Sequence, residues 1–530
     1  MTATVANSKK ELPHDTEKLR SYSWELTLAY QRLTEKYKKL LHSHYGRSSE
    51  KRTNTEELDA LQIEMDELLN HALEIEQQSE DTEEEPLIEV TPHRRRRKNT
   101  GRNSIPEELI TEETIDIPES EKICECCNLP MSILDTKPHL VVERIPAQYK
   151  ATRYLRPVYA CSHCKDTTHV AEPVLLPIPK GLAGPMLLIF VIVSKYQYHL
   201  PLYRIQRQIF HESRIWFTRS TLVSWIRNVC GLLERIHRGL LFAYRASKIK
   251  HADETPFMVK RDGKYRESYM WVGITGDSRT AVFLYNKHRS GAAALKLLEG
   301  SHPGDYLMID DCPSYNKPIN KLKLIDLRCM VHIRRKFVDA FKSGHKKEFN
   351  NKILIKIGQL YRIERFAKKN NLSTGKRFEL RNKYSKSIME QIKAVLYDPG
   401  FPILPKTETG GAIRHFLKNW KQATMFLDSG ELPIDNSINE RIIRPFAIGR
   451  NNWGNAGSEN GARWMGILYS ILTTCKLNGI DAQKYLEDVL MRLPIRPSNA
   501  DVSDLMPVEW YKTQNDGKMP DIKELYPSKN

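Results

Sequence analysis

The sequence predicts a multidomain α/β protein built around a mixed sheet, and three observations carry that expectation. At 530 residues the chain has room for roughly three or four domains. Between residues 248 and 332 the apolar residues fall in short, strand-like runs at 249–253, 269–274, 280–285, 306–310 and 322–329. A short helical stretch at 291–298 precedes the fourth run, and the order strand–strand–strand–helix–strand–strand suits a mixed sheet. Helical periodicity dominates on both sides, and two Cys-x2-Cys pairs lie upstream.

Residues 1–80 read as coiled-coil or dimerisation helices. Leu19, Leu26, Leu33 and Leu40 recur every seventh residue, with Ser23, Tyr30 and Tyr37 between them. Leu58, Leu61, Met65, Leu68, Ala72 and Ile75 then alternate steps of three and four. The break at Tyr45-Gly46-Arg47-Ser48-Ser49-Glu50 supplies a terminator and a cap, so the two helices either dimerise the protein or fold back on each other. Residues 81–119 form a charged linker: an acidic stretch with Pro86 gives way to His93-Arg94-Arg95-Arg96-Arg97-Lys98. Such a segment buries little apolar surface, and its basic run is either a solvated tether or a phosphate-binding arm.

Residues 120–175 form a cysteine-bearing module. Cys124-x2-Cys127 and Cys161-x2-Cys164, separated by 33 residues, can close four thiolates around one Zn2+. Four ligands leave no open position, which makes the metal structural; Cys126 and His163 stand close enough in sequence to substitute. Strand-like stretches at 141–145 and 153–160 suit a zinc ribbon. Residues 176–247 are helical: Gly184-Pro185 opens one helix and Pro201 begins another. Residues 202–225 read as two short helices around Trp216-Phe217-Thr218 with Ser220 as a cap, either a DNA-binding helix-turn-helix or plain core helices. The first part of the α/β core follows at 248–332, then a helical insertion at 333–430. In the insertion Ile353, Ile357, Leu360 and Ile363 share one face, as do Ile413, Leu417 and Trp420. Residues 431–475 return to the core with a helix, and 476–530 form a helical tail.

Lys and Arg outnumber Asp and Glu by 82 to 65, a net charge of +17 with a pI near 9.3. Such an excess favours a polyanionic partner, because each neutralised phosphate releases counterions. The longest apolar run, 186–193, is far short of the ~20 residues a spanning helix needs, so no membrane anchor is expected. The first residues lack the apolar stretch of a secretory signal, and the chain reads as cytosolic. Nine cysteines in such a chain argue against a disulfide framework; Cys126, Cys230, Cys312, Cys329 and Cys475 read as buried thiols.

Three acids carry the candidate chemistry. In His251-Ala252-Asp253-Glu254-Thr255-Pro256 a strand is expected to end in carboxylates, with Ile249, His251 and Asp253 on one face. The apolar strand Tyr306-Leu307-Met308-Ile309 likewise ends in Asp310-Asp311. Carboxylates on adjacent strand ends can share two divalent cations, which stabilise the attacking and leaving oxygens of a displacement at phosphorus. A third acid should come from a helix packed on the sheet. Ile434-Asp435-Asn436-Ser437-Ile438-Asn439-Glu440-Arg441 offers one, with 435–437 capping a short helix and Glu440 mid-helix. The plainer alternative is that the strand-end acids are solvated turns and Glu440 pairs with Arg444 one turn on.

From Tyr45-Gly46-Arg47-Ser48-Ser49-Glu50-Lys51 to Leu477-Asn478-Gly479-Ile480-Asp481 the chain resembles transposases of the insertion sequence 66 family. The likeness runs through the zinc pairs, Ile178-Pro179-Lys180-Gly181-Leu182-Ala183-Gly184-Pro185, Ser194-Lys195-Tyr196 and Leu200-Pro201-Leu202-Tyr203-Arg204. It continues through His251-Ala252-Asp253-Glu254-Thr255, Cys329-x2-His332-x-Arg334-Arg335-Lys336-Phe337, Ile434-Asp435-Asn436, Glu440-Arg441, Arg444-Pro445 and Gly449-Arg450-Asn451-Asn452-Trp453. That family is similar to DDE transposases, which implies a ribonuclease-H-like catalytic core with Asp253, Asp310 and Glu440 as its three acids. Asp310 is preferred to Asp311 because its distance to Tyr315-Asn316 matches the family motif. The family usually has glycine at position 311 and lysine at 451.

The resemblance further implies two Mg2+ (or Mn2+) ions held by Asp253, Asp310 and Glu440, cleavage at the ends of a mobile element, and transfer of the freed 3′-hydroxyl into target DNA. Arg334, Arg335, Arg444 and Arg450, with Trp453 beside them, become candidates for holding DNA, against plain surface solvation for any one of them. His332 stands either near the metals or in a structural role with Cys329. The implied partners are double-stranded DNA at the terminal inverted repeats and target, a second copy of the chain or a larger synaptic complex, and accessory proteins from the same element. The implied location is the bacterial cytoplasm, on the nucleoid when bound to DNA. Two rival readings are a non-catalytic DNA-binding regulator and a structure-specific nuclease that cuts without joining.

Overall fold

The computed structural model describes residues 148–517 apart from 157, 161–167, 171, 345, 399, 401 and 402. The expected N-terminal helices, the basic arm Arg94 to Lys98 and the thiols Cys124, Cys127, Cys161 and Cys164 lie outside the described residues. Two short strands, β1 (Val158–Ala160) and β2 (Thr168–Val170), pair antiparallel on either side of the Cys161–Cys164 stretch. Of the strand expected over 153–160 only this end forms, since residues 153–156 carry no regular structure.

Five strands make the central sheet: β3 (Ile249–Arg261), β4 (Lys264–Thr275), β5 (Ala281–Asn286), β6 (Tyr306–Ile309) and β7 (Ile325–Arg328), in the order β5-β4-β3-β6-β7. β3, β4 and β5 run antiparallel as a meander, while β6 and β7 join parallel to β3, so the sheet is mixed as expected. The helix expected before the fourth strand spans Gly291–Leu298, capped by the Ser290 side chain. Two expected boundaries move. β3 does not stop at its acids but continues through Pro256 to Arg261. Pro256 is tolerated because its carbonyl faces Arg450 rather than β4, so the missing N–H falls on the same unladdered edge. The last strand begins only at Ile325, because Leu322 closes the helix Asn316–Leu322 and Lys323 turns the chain with φ of 53°.

Helices cover the sheet. Pro185–Tyr196 starts at Pro185 and buries Leu188, Ile189, Val191, Ile192 and Val193 of the apolar run that was too short to span a membrane. Among the described residues no helix is long and apolar enough to cross one. Leu202–Ser213 follows, and then Arg219–Ala246, which at 28 residues is far longer than the short helix expected; its cap is Thr218, not Ser220. It buries Leu222, Ile226, Val229, Leu233, Ile236 and Tyr244 in the common core. Tyr244 lies flat against Gly273 of β4, where a Cβ would come within 2.4 Å of the ring.

The helix Glu459–Leu477 runs along the outer edge of β5 and supplies the hydrogen bonds a sixth strand would have made. Ser470 Oγ accepts from Phe283 N at 2.8 Å, and Thr474 Oγ1 both accepts from Ala281 N and donates to Ala281 O. Gly466, one turn before Ser470, lets the backbones approach, since a Cβ there would sit 2.7 Å from Phe283 O.

The helical insertion spans Met330–Lys342, Lys347–Lys369, Thr374–Leu380, a π-turn at Arg381–Ser385, Lys386–Leu396, Glu408–Lys418 and Trp420–Thr424. Ile353, Ile357, Leu360 and Ile363 are all fully buried, as their spacing requires. On Glu408–Lys418 the buried stripe is instead Thr409, Ala412 and Phe416, followed by Asn419 in the helix cap. Ile413, Leu417 and Trp420 are only half-buried. At the centre of the insertion, Glu364 accepts from Arg381 Nε at 2.7 Å and Arg377 Nε at 2.9 Å. Arg381 also donates to the carbonyls of Phe426 and Leu432, fastening the insertion to the segment that returns to the sheet. Cys230, Cys312, Cys329 and Cys475 are buried free thiols.

Candidate active site

The parallel pairing of β3 with β6 lasts three residues, Ile249 with Tyr306, Lys250 with Leu307 and His251 with Met308. Continued by two residues, that register sets Asp253 opposite Asp310, immediately after β6 ends at Ile309. The two acids therefore face each other where two neighbouring strands separate. Asp253 is not at the end of its strand, but it is at the end of that strand's pairing with β6. Its Oδ1 accepts the N–H of Glu254 at 2.8 Å, and Asp310 Oδ1 accepts that of Cys312 at 3.1 Å.

The neighbouring acids are engaged elsewhere. Glu254 meets Arg289 at 2.6 Å and accepts from Tyr315 Oη at 2.9 Å. Asp311 turns to the insertion, accepting from Lys418 Nζ at 2.9 Å. Burial would raise the Asp311 pKa, but Lys418 and Asn419 outweigh it and hold the carboxyl below its usual range.

Glu440 arrives on the helix Ser437–Trp453, in its first turn rather than mid-helix, and this helix of 17 residues is not short. The first turn favours a carboxylate, since unpaired N–H groups point along the axis there. Asp435 caps locally, accepting Ser437 N at 2.8 Å. Asn436 does something else. Its side-chain amide donates to Ala252 O at 3.0 Å and accepts from His251 Nδ1 at 3.0 Å, while its backbone N–H donates to Cys329 Sγ. One fully buried residue thus ties the Glu440 helix to the strand of Asp253 and to the start of the helix Met330–Lys342. Sequence reasoning took Asn436 for a cap and missed this bridge; the only signal was an amide beside two other capping residues.

Burial, then Glu254, then Asp310 and Glu440 push the Asp253 carboxyl up to about 7, against the usual 3.8. Asp310 and Glu440 are thus both close enough to Asp253 to disfavour its charge. Glu440 Oε1 lies 3.1 Å from Arg335 Nη2 and 3.5 Å from His332 Nε2, and the pair with Arg444 does not form. Burial and the adjacent Arg335 lower the His332 pKa, and burial drives His251 down to about 4, so both imidazoles are neutral at pH 7. Hard carboxylate oxygens crowded at one place suit a divalent cation. Among the described residues, however, no three His, Cys, Asp or Glu side chains already converge as a finished cage. Glu440 is turned toward Arg335 and His332.

Of the basic residues singled out, Arg335 is at the acids and Arg334 is on the same helix. Arg444 is exposed on the Glu440 helix. Arg450 binds the β3 edge, contacting Thr255 Oγ1 at 3.3 Å and the carbonyl of Pro256. Trp453, at the far end of that helix, packs against Phe446 with Lys195 Nζ 5.2 Å from its ring.

The family described as "Transposase IS66 family" matches residues 180–464, which contain the sheet, the insertion and all three acids. "IS66 C-terminal element" matches 470–508, and "Transposase C of IS166 homeodomain" matches 32–114. Two uncharacterized proteins of Sinorhizobium fredii (strain NBRC 101917 / NGR234) are similar over most of their length. The protein y4jD is 29% identical over 438 residues, covering 79% of this chain and 84% of that protein. The protein y4hP is 26% identical over 501 residues, covering 90% and 88%. These matches place the chain among the transposases: it is a member of the IS66 transposase family.

Proposed function

We propose that this chain is a DDE-type transposase that cuts DNA at the ends of its element and joins the freed 3′-hydroxyl to target DNA. The observation that carries this reading is the meeting of Asp253 and Asp310 across separating strands, with Glu440 within electrostatic range of Asp253. The order β5-β4-β3-β6-β7, three antiparallel strands followed by two parallel ones, supports a ribonuclease-H-like core.

Asp253, Asp310 and Glu440 would hold two Mg2+ or Mn2+ ions. When bound, such a pair supplies Lewis acidity for in-line displacement at phosphorus. The protein's own contribution is placement. The Asp253 carboxyl, pushed up to about 7 chiefly by burial, would ionise more readily beside a bound cation. Glu440 is freed at little cost, because an exposed ion pair such as that with Arg335 is worth about 0–1 kcal/mol. Arg335, beside Glu440, would then have its guanidinium available to a phosphate oxygen. Arg334, Arg444 and the basic run Arg94 to Lys98 are proposed to hold DNA further out. One Zn2+ on Cys124, Cys127, Cys161 and Cys164, a second copy joined through residues 1–80, and accessory proteins from the element complete the proposal.

The test is a plasmid carrying the element's ends, incubated with the full chain and Mg2+. Strand cleavage and joining to a target plasmid are expected, with both lost in Asp253→Asn and DNA binding kept. Cleavage without joining would reduce the activity to that of a nuclease. Undiminished cleavage by Asp253→Asn would remove this site from the chemistry.

A further inference from the structure

The stretch 202–227 holds five arginines, Arg204, Arg207, Arg214, Arg219 and Arg227, against a single acid, Glu212. That acid is occupied, accepting from Tyr149 Oη at 3.0 Å and from Gln208 Nε2 at 3.0 Å. Among the described residues no carboxylate pairs with any of the first four arginines. Three of them, Arg204, Arg207 and Arg214, are arranged on aromatic rings instead. The guanidiniums of Arg204 and Arg207, one and four residues after Tyr203, lie 5.7 and 5.8 Å from its ring centre, and Arg204 Nε donates to Tyr203 Oη. Arg214 lies 6.0 Å from Phe210, whose ring meets Trp216 edge-on at 5.5 Å.

This face is open. Tyr203 is 41% and Trp216 56% exposed, and Arg204, Arg207, Arg214 and Arg219 are all exposed beside them. The opposite face of Leu202–Ser213 is closed: Ile205, Gln206 and Ile209 are buried, and Gln206 is fixed by donating to Phe217 O at 2.6 Å. The helix is therefore anchored rigidly while it presents positive charge and flat rings to solvent. Guanidiniums spread on rings keep their outer N–H groups free, where a carboxylate partner would have used them. An exposed indole among such cations is the composition that grips a sugar–phosphate backbone and packs against its bases or sugars.

We propose that this face, from Tyr203 through Trp216 to Arg219, is a DNA-binding surface, with phosphates on the four guanidiniums and the Trp216 ring against the strand. The inference rests on the transposase reading and deepens it by naming a surface outside the acidic site. It takes DNA rather than a protein because the exposed charge is of one sign and repeats along the helix.

The experiment measures binding of a labelled duplex by anisotropy, using the full chain in magnesium-free buffer over a range of salt. In Arg204→Ala/Arg207→Ala/Arg214→Ala, affinity should fall on the order of tenfold or more, and the slope of log affinity against log salt should shrink by roughly 2 to 3. The corresponding triple Arg→Lys variant, which keeps the charge, should retain most of that slope. An unchanged melting temperature checks the fold. Trp216→Ala should weaken binding with the salt slope unaltered, because it removes packing and not charge. Unchanged affinity and slope in the triple alanine variant, beside a wild type that binds and cuts, would overturn this surface and leave the transposase reading standing. A wild type that binds no duplex at all would overturn both. Loss of self-association by light scattering with DNA affinity intact would make the face a protein contact and overturn the proposal.

Discussion

Replacing Asp253 by asparagine removes a charge and preserves a shape, so it reads out what a buried carboxylate crowded by other acids costs at the candidate site. In the folded chain the Asp253 carboxyl is displaced from 3.8 to about 7, chiefly by burial and then by Glu254. A displacement of about three pH units corresponds to about 4 kcal/mol, which we take as 2–4 kcal/mol because water reaches the rim of the site. The sign follows from the direction of the shift. A raised folded pKa means that the fold prefers the protonated acid. Stability contributed at this site is therefore complete below pH 4, declines between pH 4 and 7, and stays low above. Asparagine cannot ionise, so at pH 8 without magnesium Asp253→Asn should melt about 3–5 °C above the wild type, while at pH 4 the two should coincide. Magnesium at pH 8 should raise the wild-type melting temperature and leave the variant nearly unmoved. Differential scanning fluorimetry at both pH values reads all of this. A variant that melts at or below the wild type at pH 8, or that keeps the wild-type pH dependence, would refute the idea that crowded acids await a cation here.

Asn436→Ala should strand the His251 Nδ1–H and the Ala252 carbonyl, costing about 2–4 kcal/mol in urea unfolding. DNA cleavage should fall well beyond what that instability explains, while duplex affinity holds; undiminished cleavage in the folded fraction would dismiss Asn436 as a positioning residue. Arg381→Ala should be worse for stability, about 3–5 kcal/mol, because Glu364 is left buried without its main partner, and Arg381→Ala/Glu364→Gln should recover part of the loss. Gly466→Ala places a methyl against the Phe283 carbonyl and should cost about 1–3 kcal/mol by thermal melting. Cys161→Ser should lower the zinc content from one ion per chain toward zero by metal analysis, and a full complement would strike Cys161 from the proposed ligands.

The short, apolar strands were legible in the sequence. β6 and β5 bury most of their residues, so their apolar runs end close to where the strands do, and Ser290 marks the helix it caps. The outer half of the β3–β4 hairpin was not. Met258, Lys260, Tyr265 and Arg266 face solvent there, so polar residues and Pro256 read as a turn although the ladder runs on to Arg261. The three acids were found through strand-end chemistry and resemblance, yet the neighbours that tune them were invisible. Arg335 is separated from Glu440 by 105 positions in the chain, and no periodicity reports a contact of that kind. The Glu408–Lys418 face was misplaced by one position because the polar Thr409 and Asn419 are buried at its ends, where Asn419 Oδ1 accepts from Arg328.

The helix that seals β5 also bears on where this protein can be divided. The segment matched to the transposase family closes at residue 464 and the C-terminal element opens at 470, so the seam between them falls inside Glu459–Leu477. A chain cut at that seam would lose Ser470 and Thr474, leaving the amides of Phe283 and Ala281 bare and a strand open to recruitment by any neighbouring polypeptide. The two named regions are thus one folding body, and fragments meant for work in isolation should keep them together.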